Sequence, residues 1–246
     1  MRILVVLPTY NEVANVERVL GRIRKALPDA GVLVVDDGSP DGTADLAEQI
    51  GQELGNVDVM RRSGKAGLGS AYRAGFRWGL EHGWDVLVEM DADLSHDPDA
   101  LPQLVAPLAQ GFDLVIGSRY VPGGSIPHWS WSRRLLSRGG NIYAATMLGL
   151  HVNDSTSGFR AFSARILRLL DLEKVRLDGY GFQIEMTRLV LDQGGRVSEV
   201  PISFVDRVDG ESKMSMHIVL EALVQVTWWG LVRIARMVTT RRSSRS

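Results

Sequence analysis

Cysteine is absent from the 246-residue chain, which excludes disulfides, thiolate metal sites and a cysteine nucleophile. Also missing is any stretch of about 20 uninterrupted apolar residues, so no segment reads as a membrane span. Charge of one sign is lacking too: 28 Lys and Arg oppose 29 Asp and Glu, for a net charge of -1. That balance argues against nucleic acid as a partner held by bulk charge. No internal repeat or low-complexity tract occurs beyond a short Arg/Ser tail. The opening run Met1 to Pro8 carries one charge and is too short for a signal peptide, so the expected location is cytoplasmic.

What is present is a chain with 45% hydrophobic and 23% charged residues, ordinary for a globular protein and long enough to bury a substantial core. Ile3 to Leu7, Val32 to Val35 and Val86 to Val88 are continuous aliphatic runs, as expected of strands buried on both faces of a parallel sheet. Val57 to Met60 and Phe112 to Ile116 extend the series. Val13, Val16, Val19, Leu20 and Ile23 recur at helical spacing, a second helix is expected over 43–54, and a third runs through Ala71, Ala74, Phe76 and Leu80. This alternation predicts an α/β fold, a mainly parallel sheet flanked by helices and joined by right-handed crossovers. Ligands of such sheets bind at the carboxyl edge of the strands. Polar turns are ordinary there, but a recurrence of carboxylates and cations points to a site.

The stretch that focuses this reading is Val86 to Pro98. Its apolar run stops at Asp91-Ala92-Asp93, and side chains two apart on a strand project from one face. Two carboxylates so placed repel unless a cation lies between them, and Mg²⁺ or Mn²⁺ with oxygen ligands suits that role. Taken alone, the three residues are better read as an exposed acidic turn in which Ser95 or Asp97 caps the helix opened by Pro98, and it is the surrounding chain that reverses this preference.

After Tyr120 the rhythm changes. A Pro/Gly/Trp-rich loop over 121–131 is too long for a simple connection and suits a lid or an acceptor surface. Arg133, Arg134 and Arg138 follow, then Gly139-Gly140 and an apolar helical stretch. Residues 154–162 are polar and end in aromatics, and 196–205 alternate like a further strand that delivers Asp206-Arg207 and Ser212-Lys213. From Met216 a long amphipathic helix with paired tryptophans ends in Arg233, Arg236, Arg241, Arg242 and Arg245. Its composition suits a membrane interface, with a partner subunit or the chain's own core as the other surfaces it can cover. The organisation expected is therefore a domain over 1–213 followed by a docking helix and basic tail over 214–246. The five histidines, His82, His96, His128, His151 and His217, are scattered and define no base.

Six blocks in order carry a resemblance. They are Pro8 to Glu12 with Val35 to Thr43, Gly64 to Gly69, Met90 to His96, Gly117 to Tyr120, Asp154 to Phe162, and Asp206-Arg207 to Ser212-Lys213. With them the chain resembles family 2 glycosyltransferases of the GT-A fold, and among these the polyprenol (dolichol) phosphate mannose synthases. The resemblance implies transfer of mannose from GDP-mannose to a polyprenyl phosphate with inversion at the anomeric carbon. By matching positions, Pro8, Tyr10, Glu12, Asp36 and Asp37 would line the nucleotide pocket. Asp91 and Asp93 would hold the metal and diphosphate, with Ser95 nearby. Arg119 and Arg207 would meet donor or acceptor phosphates, Ser212 and Lys213 would lie on a loop closing over the donor, and Arg134 or its neighbour Arg133 would greet the acceptor phosphate. Lys65 serves equally as a turn lysine. A lipid acceptor further implies attachment to a membrane surface, directly or through a separate membrane subunit. The alternatives are a related transferase using UDP-glucose, or a non-catalytic subunit that binds a nucleotide sugar. A nucleotidyltransferase would instead show a Gly-rich, basic signature after its first strand.

Overall fold

The structure, a computed structural model, describes residues 1–175, 177–205 and 216–243, with side chains of the last segment described over 220–235. The first half follows the aliphatic runs. β1 (Ile3–Thr9), β2 (Gly31–Asp36), β3 (Val57–Arg61) and β4 (Val86–Glu89) alternate with α1 (Val13–Ala26), α2 (Thr43–Leu54) and α3 (Leu68–Glu81). A 3-10 turn at Pro98–Ala100 leads into α4 (Leu101–Val105) and then β5 (Leu114–Ser118). The second half holds α5 (Trp131–Leu148), β6 (Arg160–Ser163), α6 (Ala164–Leu167), α7 (Gly179–Asp192), β7 (Val197–Pro201) and α8 (Met216–Ser243).

The seven strands form one sheet in the order β3-β2-β1-β4-β6-β5-β7. β1 to β4 pair in parallel and β5 pairs in parallel with β7. β6 is antiparallel to both β4 and β5 and is wedged between them. A mainly parallel sheet flanked by helices is therefore present, but β4 and β5 are not the neighbours that simple alternation suggests.

Side-chain alternation sends each strand's residues to two cores. Leu4, Val6, Leu33, Val35 and Leu87 pack with Tyr72 and Phe76 of α3 and Phe182 and Met186 of α7. Val5, Leu7, Val32, Val34 and Val88 pack with α1, α2 and α4. Helix α3 lies so close to the sheet that a Cβ on Gly75 would collide with Val6.

α5 begins at Trp131 and runs unbroken through Gly139 and Gly140. Its Ser130 cap accepts from the Arg133 amide, so the arginines occupy its first turns rather than preceding the helix. α8 rests against α5 and α7. Val226 joins the core, Tyr143 and Thr227 hydroxyls meet at 2.6 Å, and Arg188 stacks on Trp229. Its other side exposes Leu220, Val224, Trp228, Leu231 and Ile234. One face of this helix thus covers the chain's own core, and a second apolar face remains outside. The boundary expected at 213/214 falls outside the described residues. Among the described residues, no helix is long and apolar enough to cross a membrane.

Candidate active site

At the carboxyl edge of the sheet the ends of β1, β2, β4 and β5 surround a cavity of about 700 Å³. Its wall contains Pro8, Tyr10, Glu12 and Asp37 on one side, Asp91, Asp93 and Ser95 at the end of β4, and Arg119, Trp129, Arg133, Tyr180 and Gln183 on the other. These residues are far apart in sequence. They meet because strands 1, 2 and 4 are adjacent and parallel, so their C-terminal ends open on the same edge.

The acidic pair after β4 is built into its surroundings. Tyr72 donates its hydroxyl to Asp91 Oδ1 at 3.2 Å, and the Asp91 amide meets His96 Nδ1 at 3.3 Å. Asp93 Oδ1 accepts from the Ser95 amide at 3.0 Å and its hydroxyl at 2.6 Å. His96 is buried, stacked on Phe159 and edged by Phe204, which makes it part of the wall. Leu94 between them has φ 61, a left-handed backbone costing a branched side chain about 1–2 kcal/mol. The turn is held in this shape by its hydrogen bonds rather than by local preference.

Asp36 and Asp37 separate at the end of β2. Asp36 is 2% exposed; it accepts from the Thr9 hydroxyl at 2.9 Å and from the Ser39 amide and hydroxyl at 2.8 and 2.6 Å, and it is not in the cavity wall. Asp37 does line the cavity, where Arg62 donates to it at 2.7 Å and the Ala66 amide at 3.1 Å. Lys65 also reaches the wall, its Nζ 4.9 Å above the Tyr10 ring, a placement that a plain turn lysine does not require.

Arg119 is at the cavity but already engaged. Its Nε and Nη2 each donate to Asp154 at 2.7 Å, and Nη2 also donates to the Thr156 hydroxyl at 2.8 Å. Burial pushes the Asp154 carboxyl up, but the Arg119 charge and hydrogen bonds outweigh it and hold the group below its ordinary value. Of the two candidate arginines on α5, Arg133 lines the cavity and lies 3.9 Å over the Trp129 ring. Arg134, the other candidate for the acceptor phosphate, points its Nη2 at the Ile126 carbonyl at 2.7 Å and is not in the wall. Arg207, Ser212 and Lys213 lie outside the described residues.

The loop over 121–131, expected as a lid or acceptor surface, does contribute Trp129 to the cavity wall. Trp129 sits 7% exposed because its loop is pinned: Ser125 donates to the Ile202 carbonyl and accepts from the Phe204 amide. The loop over 121–131 is therefore tied to the chain leaving β7, and Val205 in turn donates to the Ser95 carbonyl. Glu89, the last residue of β4, is fully buried, and burial pushes its carboxyl up to about 8 against the Arg160 charge and the Gln183 hydrogen bond. A charge at the end of an apolar run, and a glutamine inside a helix, gave no hint of this pairing.

Asp91 and Asp93 offer an all-oxygen donor set at one place, which fits a hard divalent ion whose remaining ligands come from phosphate and water. Among the described residues no three His, Cys, Asp or Glu side chains gather as a protein-only metal cluster.

A mainly parallel sheet flanked by helices, with an acidic pair just past its fourth strand at a cavity of about 700 Å³, is the arrangement of a GT-A glycosyltransferase. Residues 4–170 match the family described as glycosyl transferase family 2, and the chain belongs to it. It is 54% identical over 231 residues to the undecaprenyl-phosphate mannosyltransferase of Micrococcus luteus, covering 94% of this chain and 95% of that one. It is 48% identical over 231 residues to the polyprenol monophosphomannose synthase of Mycolicibacterium smegmatis, covering 94% and 87%. Among solved structures, glucosyl-3-phosphoglycerate synthase from Mycobacterium tuberculosis with UDP bound superposes with a TM-score of 0.64 at 25% identity, covering 94% of this chain and 79% of that one.

Proposed function

We propose that the protein transfers mannose from GDP-mannose to a polyprenyl monophosphate, giving polyprenyl phosphate mannose with inverted anomeric configuration. The observation that carries this reading is the meeting of Asp91 and Asp93 with Arg133 and Lys65 across one cavity. Acids that can share a cation with a diphosphate thus line the same cavity as cationic side chains that can receive a second phosphate. Near-complete coverage of two relatives named for lipid-phosphate mannosyl transfer supports the same substrate class.

In this reading Pro8, Tyr10, Glu12 and Asp37 hold the nucleotide, and Asp36 acts behind them by fixing the turn that presents Asp37. Asp91 and Asp93 would hold Mg²⁺ or Mn²⁺, which neutralises charge on the departing diphosphate. Arg133, stacked on Trp129, orients the acceptor phosphate. Asp154 holds Arg119 rigidly, so its positive charge faces the cavity from a fixed position. A phosphate monoester is largely dianionic at neutral pH, so it attacks without a protein base. An acceptor oxygen forms the new bond to the anomeric carbon from the face opposite GDP, and the bond to GDP breaks with its electron pair.

The acceptor is a lipid, so the protein works at a membrane surface, on the cytoplasmic face. Exposed Trp131, Leu135, Leu136 and Ile142 on α5, a helix that packs against α8, and the outer apolar face of α8 supply surface for a bilayer or a separate membrane subunit. The test is incubation of purified protein with Mg²⁺, a short polyprenyl phosphate and either GDP-mannose or UDP-glucose. Mannolipid formed from GDP-mannose alone is the expected result; glucolipid, or no lipid product from either donor, contradicts the reading.

A further inference from the structure

Asp93 is held by Ser95, two residues along the same turn, but the hydroxyl that meets Asp91 comes from another element. Tyr72, in the second turn of α3 and 19 residues earlier in the chain, donates to Asp91 Oδ1 at 3.2 Å. The transfer steps above give this tyrosine no part. Its ring is fixed, because Tyr72 is fully buried and stacks on Phe76 with centroids 6.2 Å apart and on Phe182 at 6.1 Å. The hydroxyl therefore leaves the aromatic core at one set point. A phenol is protonated at neutral pH, so towards a carboxylate it acts as a donor.

Phenylalanine would fill the same core without a polar atom to satisfy. What the oxygen adds is the bond to Asp91. That residue lines the cavity with its side chain 26% exposed. Its Oδ1 is turned to Tyr72, while Oδ2 lies 3.9 Å from His96 Nδ1 and 4.0 Å from the place a Cβ on Gly158 would take. Gly158 is itself part of the wall, so this second oxygen borders the cavity. Neighbouring carboxylates repel one another while no cation is bound, and a donated hydrogen bond favours the charged form and fixes its orientation. Outer hydrogen bonds of this kind orient metal-binding carboxylates, and losing them weakens the hold on the ion.

We propose that Tyr72 is a positioning residue for the divalent ion, its hydroxyl holding the Asp91 carboxylate with Oδ2 turned to the cavity before the ion arrives. The inference rests on the reading of Asp91 and Asp93 as metal ligands and adds to it the group that orients one of them. Tyr72 itself touches neither ion nor substrate.

The test measures GDP affinity by calorimetry with and without Mn²⁺, for the wild type and Tyr72→Phe, and reads the gain in affinity that Mn²⁺ confers. Tyr72→Phe removes one oxygen and leaves the ring in place. It is expected to reduce that gain about 10-fold, with metal-free GDP affinity unchanged. In turnover, the Mn²⁺ concentration giving half the maximal rate should rise while kcat at saturating Mn²⁺ stays near the wild-type value, a split that loosened packing does not produce. A gain equal to that of the wild type, or a matching loss of metal-free GDP affinity, overturns the proposal and leaves Tyr72 a core residue. If Tyr72→Phe does not fold, wild-type crystals with Mn²⁺ and GDP decide. The hydroxyl is expected within hydrogen-bond distance of one Asp91 oxygen with Mn²⁺ on the other, and a hydroxyl turned away from Asp91 overturns the proposal. No gain from Mn²⁺ in the wild type overturns the metal reading and this inference with it, an outcome distinct from a variant that matches a metal-responsive wild type.

Discussion

Two acidic pairs end buried parallel strands of this sheet, and their fates differ. Asp36 and Asp37 are consecutive, so they point to opposite sides: one is closed in by Thr9 and Ser39, and the other reaches the cavity beside Arg62. Asp91 and Asp93 are separated by one residue, and both reach the cavity. Both stand past Glu89, the last residue of β4, so the turn through Leu94 and its hydrogen bonds, rather than the strand alternation expected from sequence, bring two carboxylates to one cavity. Asp154 is a third case, a buried carboxylate held by Arg119 with the Thr156 hydroxyl beside it.

The comparison breaks if these carboxylates prove interchangeable. Asp93→Ala should lower kcat by about 10³-fold in a protein that still folds, because it removes charge stabilisation in the transition state, while loss of the two Ser95 hydrogen bonds lowers stability by only about 1–2 kcal/mol. Thermal melts and steady-state kinetics on the same preparation decide it, and near-normal turnover contradicts the role. Asp154→Asn should destabilise the fold by about 3 kcal/mol, since it leaves a buried guanidinium without its counter-charge. Because the Asp154 carboxyl is held below its ordinary value, the stabilisation is present above the unfolded-state pKa of about 3.9 and is lost as pH falls toward the lower folded value. The wild-type melting temperature should therefore drop more steeply below about pH 4 than that of Asp154→Asn.

Asp36→Ala should cost about 1–2 kcal/mol of stability, from the lost turn hydrogen bonds, while turnover per folded molecule stays near normal. Denaturant titration with kinetics checks this, and turnover lost without any change in stability would place Asp36 with Asp37 instead. The smallest expected effect separates the α5 arginines. Arg133→Ala should raise KM for the polyprenyl phosphate about tenfold, the loss of one charge-assisted contact, and Arg134→Ala should raise it less.

The donor half of the site was largely legible in sequence because its strands are buried on both faces, and such strands read as unbroken aliphatic runs ending at the ligand edge. The acceptor half was not. β6 is four residues long and starts with Arg160, a charge that reads as surface and is in fact wholly buried, so neither the strand nor its antiparallel insertion beside β4 was visible. Arg133 and Arg134 are equivalent in sequence; only the Ser130 cap, which sets where α5 begins, decides which of them turns to the cavity. Asp154 lies 35 residues from Arg119, and nothing local announces that pairing. Glu89 and Gln183, 94 residues apart, escaped for the same reason.

The central claim is that Asp91 and Asp93 share a divalent ion with the donor diphosphate. Crystals grown with Mn²⁺ and GDP-mannose, measured at the manganese absorption edge, test it most directly. The account predicts an anomalous peak within about 2.3 Å of a carboxylate oxygen of Asp91 or Asp93 and of a diphosphate oxygen. A diphosphate bound elsewhere in the cavity, with no peak at either acid, would contradict it.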